Sequence, residues 1–401
     1  MTELDAPLRE LRGMCREAAR DLRTRALAVD ADPADVERHL DSPTLTLIRV
    51  ASTPKRFRAD GSVDDGGYSG SCLARVIAGV ELARGDAGLI CANTGPSLAG
   101  VAVDALGSEA QQEAFYDAIA DGRTWTFFGM TEPDRGSDAT AMETRLEAAP
   151  DPADGMLLTG AKRYVGNASR GRIGVVFART GRTALSVRGA VVRIPAAGYE
   201  ATPLDMIGLR GARICAIDLN GVRVPREDVL GAHLPASRRG LWGIGRTFNV
   251  MRTQIASMAL GVALAARDLV REERPGWSGH ERVSARLDAA LALLHDAAVQ
   301  VDHDPDARRP PSVAKLHITD LAVRTTRWAA HALGPGAMLE HPLLEKWCRD
   351  VAAFEFMDGT SNIQRLHITH DVATRATAPR PSAGRVTTPT ADRVTAPQGA
   401  A

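Results

Sequence analysis

The hydrophobic pattern of this chain changes period twice, and that double switch restricts its possible folds more than any other feature. Up to about Ile119 the apolar residues recur at helical spacing: Leu8, Leu11, Met14, Ala18 and Leu22 first, then 72–82, then 109–119. From Trp125 the pattern becomes short apolar or alternating runs at 125–130, 156–159, 173–178, 190–194 and 214–219. Gly, Pro and Asp punctuate them, as at 150–155, which is the mark of a compact antiparallel β unit. Beyond Val224-Pro225 long helical stripes return: Met251, Ile255, Met258, Val262, Ala266 and Leu269, then Leu287, Leu291, Leu294 and Ala298. Two more helices are predicted at about 312–332, just after Pro311, and 344–356, so that four make an antiparallel bundle.

The fold class expected is therefore mainly α with a central β domain. Its parts are an N-terminal helical domain over 1–122, a middle antiparallel β domain over 123–232 and a C-terminal four-helix bundle over 233–378. Residues 379–401 are rich in Pro, Thr, Ala and Arg without periodicity, and are expected to be a disordered tail. A chain of 401 residues with 44% hydrophobic content can bury the core such a body needs.

Charge and cysteine usage narrow the function. Lys+Arg and Asp+Glu are equal at 49 each, so the basic surface that nucleic acid requires is not expected. Lysine occurs at 55, 162, 315 and 346 against a large excess of arginine; this bias is assigned to composition and given no functional weight. The five cysteines lack CxxC or Cys/His spacing, which argues against disulfides or zinc and for a reducing, cytoplasmic setting. The first twelve residues do not read as a signal peptide, and no uninterrupted apolar window of membrane-span length is present.

The most informative segment is Phe127-Phe128-Gly129-Met130-Thr131-Glu132-Pro133-Asp134-Arg135-Gly136-Ser137-Asp138. It reads as a strand end followed by a polar turn whose N–H groups and hydroxyls are free to face a ligand. Taken alone it could equally be an ordinary turn. There is no GxGxxG after a strand and no Walker A pattern, so a nucleotide cofactor would have to be held another way.

This segment resembles the acyl-CoA dehydrogenase signature, and four further blocks follow in that family's order. They are Gly160 to Ala168, Gly208-Leu209-Arg210-Gly211 leading into Val222 to Pro225, Arg252 with its helix to Arg274, and Arg349-Asp350 with Met357 to Arg365. The resemblance covers about residues 70 to 375. It implies FAD held between the β domain and the bundle, with the adenosine end reaching a neighbouring subunit, hence a homodimer or homotetramer. It implies an acyl-CoA or acyl carrier protein thioester as substrate, with an electron-transfer flavoprotein as electron acceptor.

Residue by residue, Phe128, Met130 and Thr131 match positions that meet the isoalloxazine. Tyr164, where the family usually has tryptophan, and Gly166 match its other side. Thr360 and Asn362 fall in the C-terminal cofactor segment. Ser137, Arg252 and Gly359 match substrate-side positions. For Phe128 and Tyr164 plain core packing stays open. Arg274 and Trp277 resemble the pair that grips the partner's FAD, where a guanidinium suits pyrophosphate; a solvated helix-end arginine is the alternative. Gly334 and Gly336 fall where the family has a glycine-rich pyrophosphate loop, interrupted here by Leu333 and Pro335; a helix cap would look the same.

Three departures bear on the chemistry. The family reaction removes the α-proton with a carboxylate while the β-hydrogen leaves as hydride to flavin, and that carboxylate is usually glutamate just before Gly-Thr. Here it is Asp358, shorter by one C–C bond of about 1.5 Å, a misplacement able to cost on the order of 100-fold in rate. Asp358 acts as the base, or another group does, or it only caps a turn. Gly166 replaces a common hydroxyl residue near flavin N5. Asp134-Arg135 adds charge to the turn, as a solvated pair or a carrier contact. A flavin-dependent oxidase or monooxygenase, and a non-catalytic carrier-binding scaffold, therefore remain as competing functions.

Overall fold

The structure, a computed structural model, describes residues 4–59, 64–151, 153 and 155–377, with side chains to 373. The tail expected from 379 onward lies outside the described residues. Five helices precede the sheet: α1 (Ala6–Ala31), α2 (Pro43–Ser52), α3 (Cys72–Ala92), α4 (Ser97–Leu106) and α5 (Glu109–Asp117). Asp5, Ser42 and Ser71 cap α1, α2 and α3 by accepting from backbone N–H groups, and Ser108 with Gln111 forms a capping box on α5. The short helices α2 and α4 were not expected, because ten residues give too few turns for a clear stripe.

Helix α3 breaks at Asp86 (φ −161°, ψ 120°), whose Oδ1 accepts from Leu89 N at 2.7 Å and so caps the second half. Asp86 can be buried because Lys346 Nζ lies 2.5 Å from it and 2.6 Å from Asp350. Asp350 in turn accepts from Leu209 N at 2.6 Å. One buried cation thus ties together the kink, the Gly-Leu-Arg-Gly loop and the C-terminal helices.

The sheet contains β1 (Thr126–Gly129), β2 (Arg145–Ala148), β3 (Met156–Val165), β4 (Ile173–Arg179), β5 (Val187–Arg193), β6 (Tyr199–Pro203) and β7 (Cys215–Val224). Its order is β1-β4-β2-β3-β7-β6, with β5 also paired to β4. Most pairs are antiparallel; β1 runs parallel to β4, and β2 meets β4 in parallel at Arg145 and Arg179. Strands β2 and β6 were missed because most of their residues are exposed, which removes the apolar alternation.

The C-terminal helices are α6 (Leu241–Glu273), α7 (His280–His303), α8 (Arg309–Leu333), α9 (Ala337–Glu340), α10 (Pro342–Ala353) and α11 (Ser361–Thr377). The C-terminal region therefore gains α11 and the short α9 over the four helices expected, and α8 starts three residues early, with Pro310 and Pro311 inside its first turn. Helices α3, α6, α7, α8 and α10 share one core. At Gly261 a Cβ would collide with the Val80 carbonyl, so α3 and α6 pack closely only because that side chain is missing. Helix α6 lies within a stretch, 236–273, that is long and apolar enough to cross a membrane, but 78% of its apolar window is buried inside the protein.

Candidate active site

The polar turn after β1 is held down by two charges. Glu132 is buried and accepts from Glu143 N at 2.6 Å, Thr144 N at 2.8 Å and Lys162 Nζ at 2.9 Å. Lys162 is 0% exposed and also donates to the Met130 carbonyl at 3.2 Å. These bonds hold the Glu132 carboxyl below its ordinary range, the Lys162 charge being the largest effect opposing burial. The Thr131 carbonyl accepts from Arg163 N at 2.8 Å, so Thr131 is locked against β3 one residue from Tyr164.

Beyond this anchor the turn is solvated, and 133–138, including Ser137, are exposed. Two N–H groups expected to be free are paired inside the turn, between Glu132 and Arg135. Arg135 meets Glu143 at 3.4 Å on the surface, an interaction of little energetic weight.

Tyr164 adopts left-handed backbone (φ 62°) and its side chain is 59% exposed, with the Arg163 guanidinium 5.5 Å from its ring centroid. Gly166 follows in open surroundings: an added Cβ would find nothing nearer than Ile214 Cδ1 at 3.7 Å. Phe128 packs 5.5 Å from Phe177 in the sheet and 6.1 Å, edge to face, from Phe248 on α6. It therefore belongs to the seam between sheet and bundle, which is where the resemblance put the flavin.

The second half of the site is the loop between α10 and α11. Asp358 and Gly359 both have positive φ, 51° and 96°. The Asp358 carbonyl accepts from Arg252 Nε at 3.3 Å and Gln364 Nε2 at 3.4 Å. The Gly359 carbonyl accepts from Lys315 Nζ at 2.7 Å and Gln364 Nε2 at 2.8 Å. Thr360 caps α11 by accepting from Ile363 N at 3.4 Å, while Asn362 is exposed and pairs with Arg365 at 2.9 Å. No hydrogen bond reaches the Asp358 carboxyl itself among the described residues. Burial pushes this carboxyl up to about 6, and Lys315 and then Arg252 hold it from rising further.

Arg252 joins the two halves. It is buried, donates from Nη1 to Asn249 Oδ1 at 3.0 Å, and lies 5.8 Å from the Phe248 ring that meets Phe128. A second tie runs through Asn167, whose Nδ2 donates to the Cys91 carbonyl at 3.2 Å; burial first, then the Asp350, Asp86 and Asp358 charges, push the Cys91 thiol up to about 12. The fold thus gathers Phe128, Met130, Thr131, Tyr164, Gly166, Arg252, Asp358, Gly359 and Thr360 around one seam.

Arg274, Trp277 and Gly334 gather elsewhere. Arg274 caps α6, is exposed, and donates to the Leu333 carbonyl at 3.4 Å; Gly334 (φ 103°) has room beside that guanidinium. Trp277 lies 6.4 Å from His331, and Gly336 caps α9. Twenty-two residues of helix separate Arg274 from Arg252, about 33 Å.

Lys162, Lys315, Gln364 and Phe248 escaped the sequence reading. For the lysines the signal is their scarcity. Lys162 and Lys315 are 0% exposed and Lys346 2%, while Lys55 is exposed. In a chain that otherwise uses arginine, lysine stands where a compact ammonium must be buried among several acceptors and a planar guanidinium would not fit.

Family models for acyl-CoA dehydrogenase match the chain in three parts: the N-terminal domain over residues 10–123, the middle domain over 127–222 and the C-terminal domain over 280–373. The probable acyl-CoA dehydrogenase YngJ of Bacillus subtilis (strain 168) is 29% identical over 327 residues, 76% of this chain and 83% of that protein. The caffeyl-CoA reductase-Etf complex subunit CarC of Acetobacterium woodii is 26% identical over 321 residues, 76% and 83% of the two chains. The solved structure of PigA with FAD and proline matches the fold with a TM-score of 0.81 at 17% identity, covering 94% of this chain and all of that one. The open space at Gly166, the exposed Tyr164 ring and the anchored Thr131 turn suit a planar flavin, and the exposed Arg274 suits a pyrophosphate.

Proposed function

Because this chain belongs to the acyl-CoA dehydrogenase family of FAD-dependent oxidoreductases, we propose that Asp358 removes the α-proton of an acyl thioester while the β-hydrogen leaves as hydride. FAD supplies the hydride acceptor. The observation that carries this reading is the state of Asp358: a carboxyl raised to about 6 by burial, without a hydrogen bond among the described residues, on a loop fixed by three buried side chains. A base that must take a weakly acidic C–H proton needs such surroundings, because hydrogen bonds to the carboxylate would lower its basicity. Arg252 and Lys315 hold the loop, the Thr131 turn borders the flavin edge, and Gly359 and Ser137 border the thioester.

The separation of Arg274, Trp277 and Gly334 from the seam supports a FAD site shared between two copies of the chain, hence a homodimer or homotetramer. The substrate is a CoA or carrier-protein thioester. The likeness to CarC, named as part of an Etf complex, supports an electron-transfer flavoprotein as acceptor. The five free thiols suit a reducing cytoplasm.

Anaerobic mixing of the purified yellow protein with acyl thioesters tests the reading. Bleaching by a thioester, lost in Asp358→Asn, is expected. Flavin that no thioester bleaches, but that NAD(P)H and a flavin reductase reduce with oxygen uptake, would show an oxygen-using enzyme instead. Protein that never holds flavin would point to a scaffold.

A further inference from the structure

We infer that Lys315 is a positioning residue for this site, holding the Asp358–Gly359 loop in its working conformation and setting the charge beside the Asp358 carboxyl. The inference rests on the reading of Asp358 as the base and assigns its control.

The argument begins with the backbone. Left-handed conformation is strained for an L-residue such as Asp358 (φ 51°), though not for Gly359, and it persists only where the surroundings over-determine it. Here four hydrogen bonds from Arg252, Lys315 and Gln364 converge on two successive carbonyls. Lys315 makes the shortest of them and adds a bond to the Glu355 carbonyl at 3.3 Å, so its ammonium bridges both ends of the segment between α10 and α11.

Backbone carbonyls alone do not require a cation. A neutral amide would serve them, as Gln364 does, without the cost of desolvating a charge. Lys315 is fully buried, yet among the described residues no carboxylate lies within ion-pair distance of it. Its charge is balanced at longer range by Asp358 first and Glu355 second, with Arg252 opposing, and burial still pushes the ammonium down to about 8. The Glu355 carboxylate is engaged by the Ser361 hydroxyl at 2.5 Å. Asp358 is thus the principal counter-charge.

Other charged or titratable groups face this centre from every side. Arg252 comes from α6 and Arg308 from the start of α8. His367 on α11 is held down to about 4 by burial, Arg252, Arg308 and His370, and is therefore neutral. Cys91 on α3 stays protonated. The Lys315 charge is the strongest influence opposing burial at Asp358. Without it the carboxyl would rise further.

The test is the rate of anaerobic flavin bleaching by a saturating thioester, measured against pH in flavin-loaded wild type, Lys315→Met, Gln364→Met and Asp358→Asn. In wild type the rate should rise through about pH 6. In Lys315→Met that limb should move upward by at least about one pH unit. Gln364→Met removes a neutral donor, so its rate should fall at every pH while the limb stays near 6. A readout independent of turnover is the stability gained on adding Asp358→Asn, followed against pH; in the Lys315→Met background that gain should level off at a higher pH. An unmoved limb in Lys315→Met overturns the assignment to Lys315 and leaves Asp358 as the base. Thioester bleaching that survives in Asp358→Asn overturns both. If Lys315→Met retains no flavin, Gln364→Met decides, and an unchanged rate there refutes the clamp.

Discussion

Lys162 Nζ lies 2.9 Å from Glu132 Oε1, with both side chains buried and each also hydrogen-bonded to backbone. The pair staples the turn after β1 to the middle of β3, and so fixes Thr131 beside Tyr164. Breaking it from one side strands a buried charge, which costs about 3–5 kcal/mol. Lys162→Met should therefore lower stability by that amount in chemical denaturation and weaken flavin retention. A second change, Glu132→Gln, should recover part of the stability, since the stranded carboxylate is then gone. If Lys162→Met proves as stable as wild type, the pair does not anchor the turn.

Asp358→Asn should give an inactive protein that is more stable at pH 7. The folded carboxyl is raised above its ordinary value, to about 6. A raised acid favours the folded state at low pH, and this contribution is lost as pH climbs through the folded value. Asparagine escapes that loss. The gain should be absent near pH 3.5, grow between about 4 and 6, and level off above at on the order of 1–3 kcal/mol. Thermal denaturation of the two proteins across that range checks it; a gain that does not depend on pH would mean that burial is not what raises the carboxyl.

Much of the architecture could be read from the sequence because periodicity records burial. The stripe from Ile255 to Leu269 faces one core, and 173–178 is buried on both faces as β4. The elements that escaped are those whose burial is partial, β2 and β6, or whose length is short, α2 and α4. Asp358 was legible only through its neighbours in the chain, Gly359 and Thr360. Lys315 and Gln364 were not legible as site residues, because their role depends on where α8 and α11 meet the loop. That meeting is set by tertiary packing, and no local spacing encodes it. The scarcity of lysine is the one sequence signal that marks Lys315.

Gly166→Ser should fold normally and change the flavin chemistry. A Cβ there meets nothing nearer than 3.7 Å, and the residue has no positive φ that would demand glycine. Stability should stay within about 0.5 kcal/mol of wild type. The added hydroxyl can donate one hydrogen bond, worth about 1 kcal/mol, toward the flavin edge. Bleaching by thioester should therefore speed up by several-fold, with a shifted flavin absorption band. An unchanged rate and spectrum would show that position 166 does not border the flavin.

Arg274→Ala isolates the contribution made to a neighbouring copy. Arg274 is exposed and bonds only weakly, at 3.4 Å, to the Leu333 carbonyl, so its loss should barely change the melting temperature. If its guanidinium grips the pyrophosphate of a FAD seated on a partner, removing that charge-assisted contact should weaken FAD retention by about 10- to 100-fold. Because about 33 Å of α6 lies between Arg274 and Arg252, the two lesions Arg274→Ala and Asp358→Asn would fall on different copies of a shared site. Co-expressing the two impaired variants at limiting FAD should then return part of the activity, since in mixed oligomers some sites draw Arg274 from one chain and Asp358 from the other. A self-contained site predicts no such recovery, because every chain would carry one of the lesions. Activity of the mixture, compared with each variant alone at equal protein concentration and limiting FAD, decides between them.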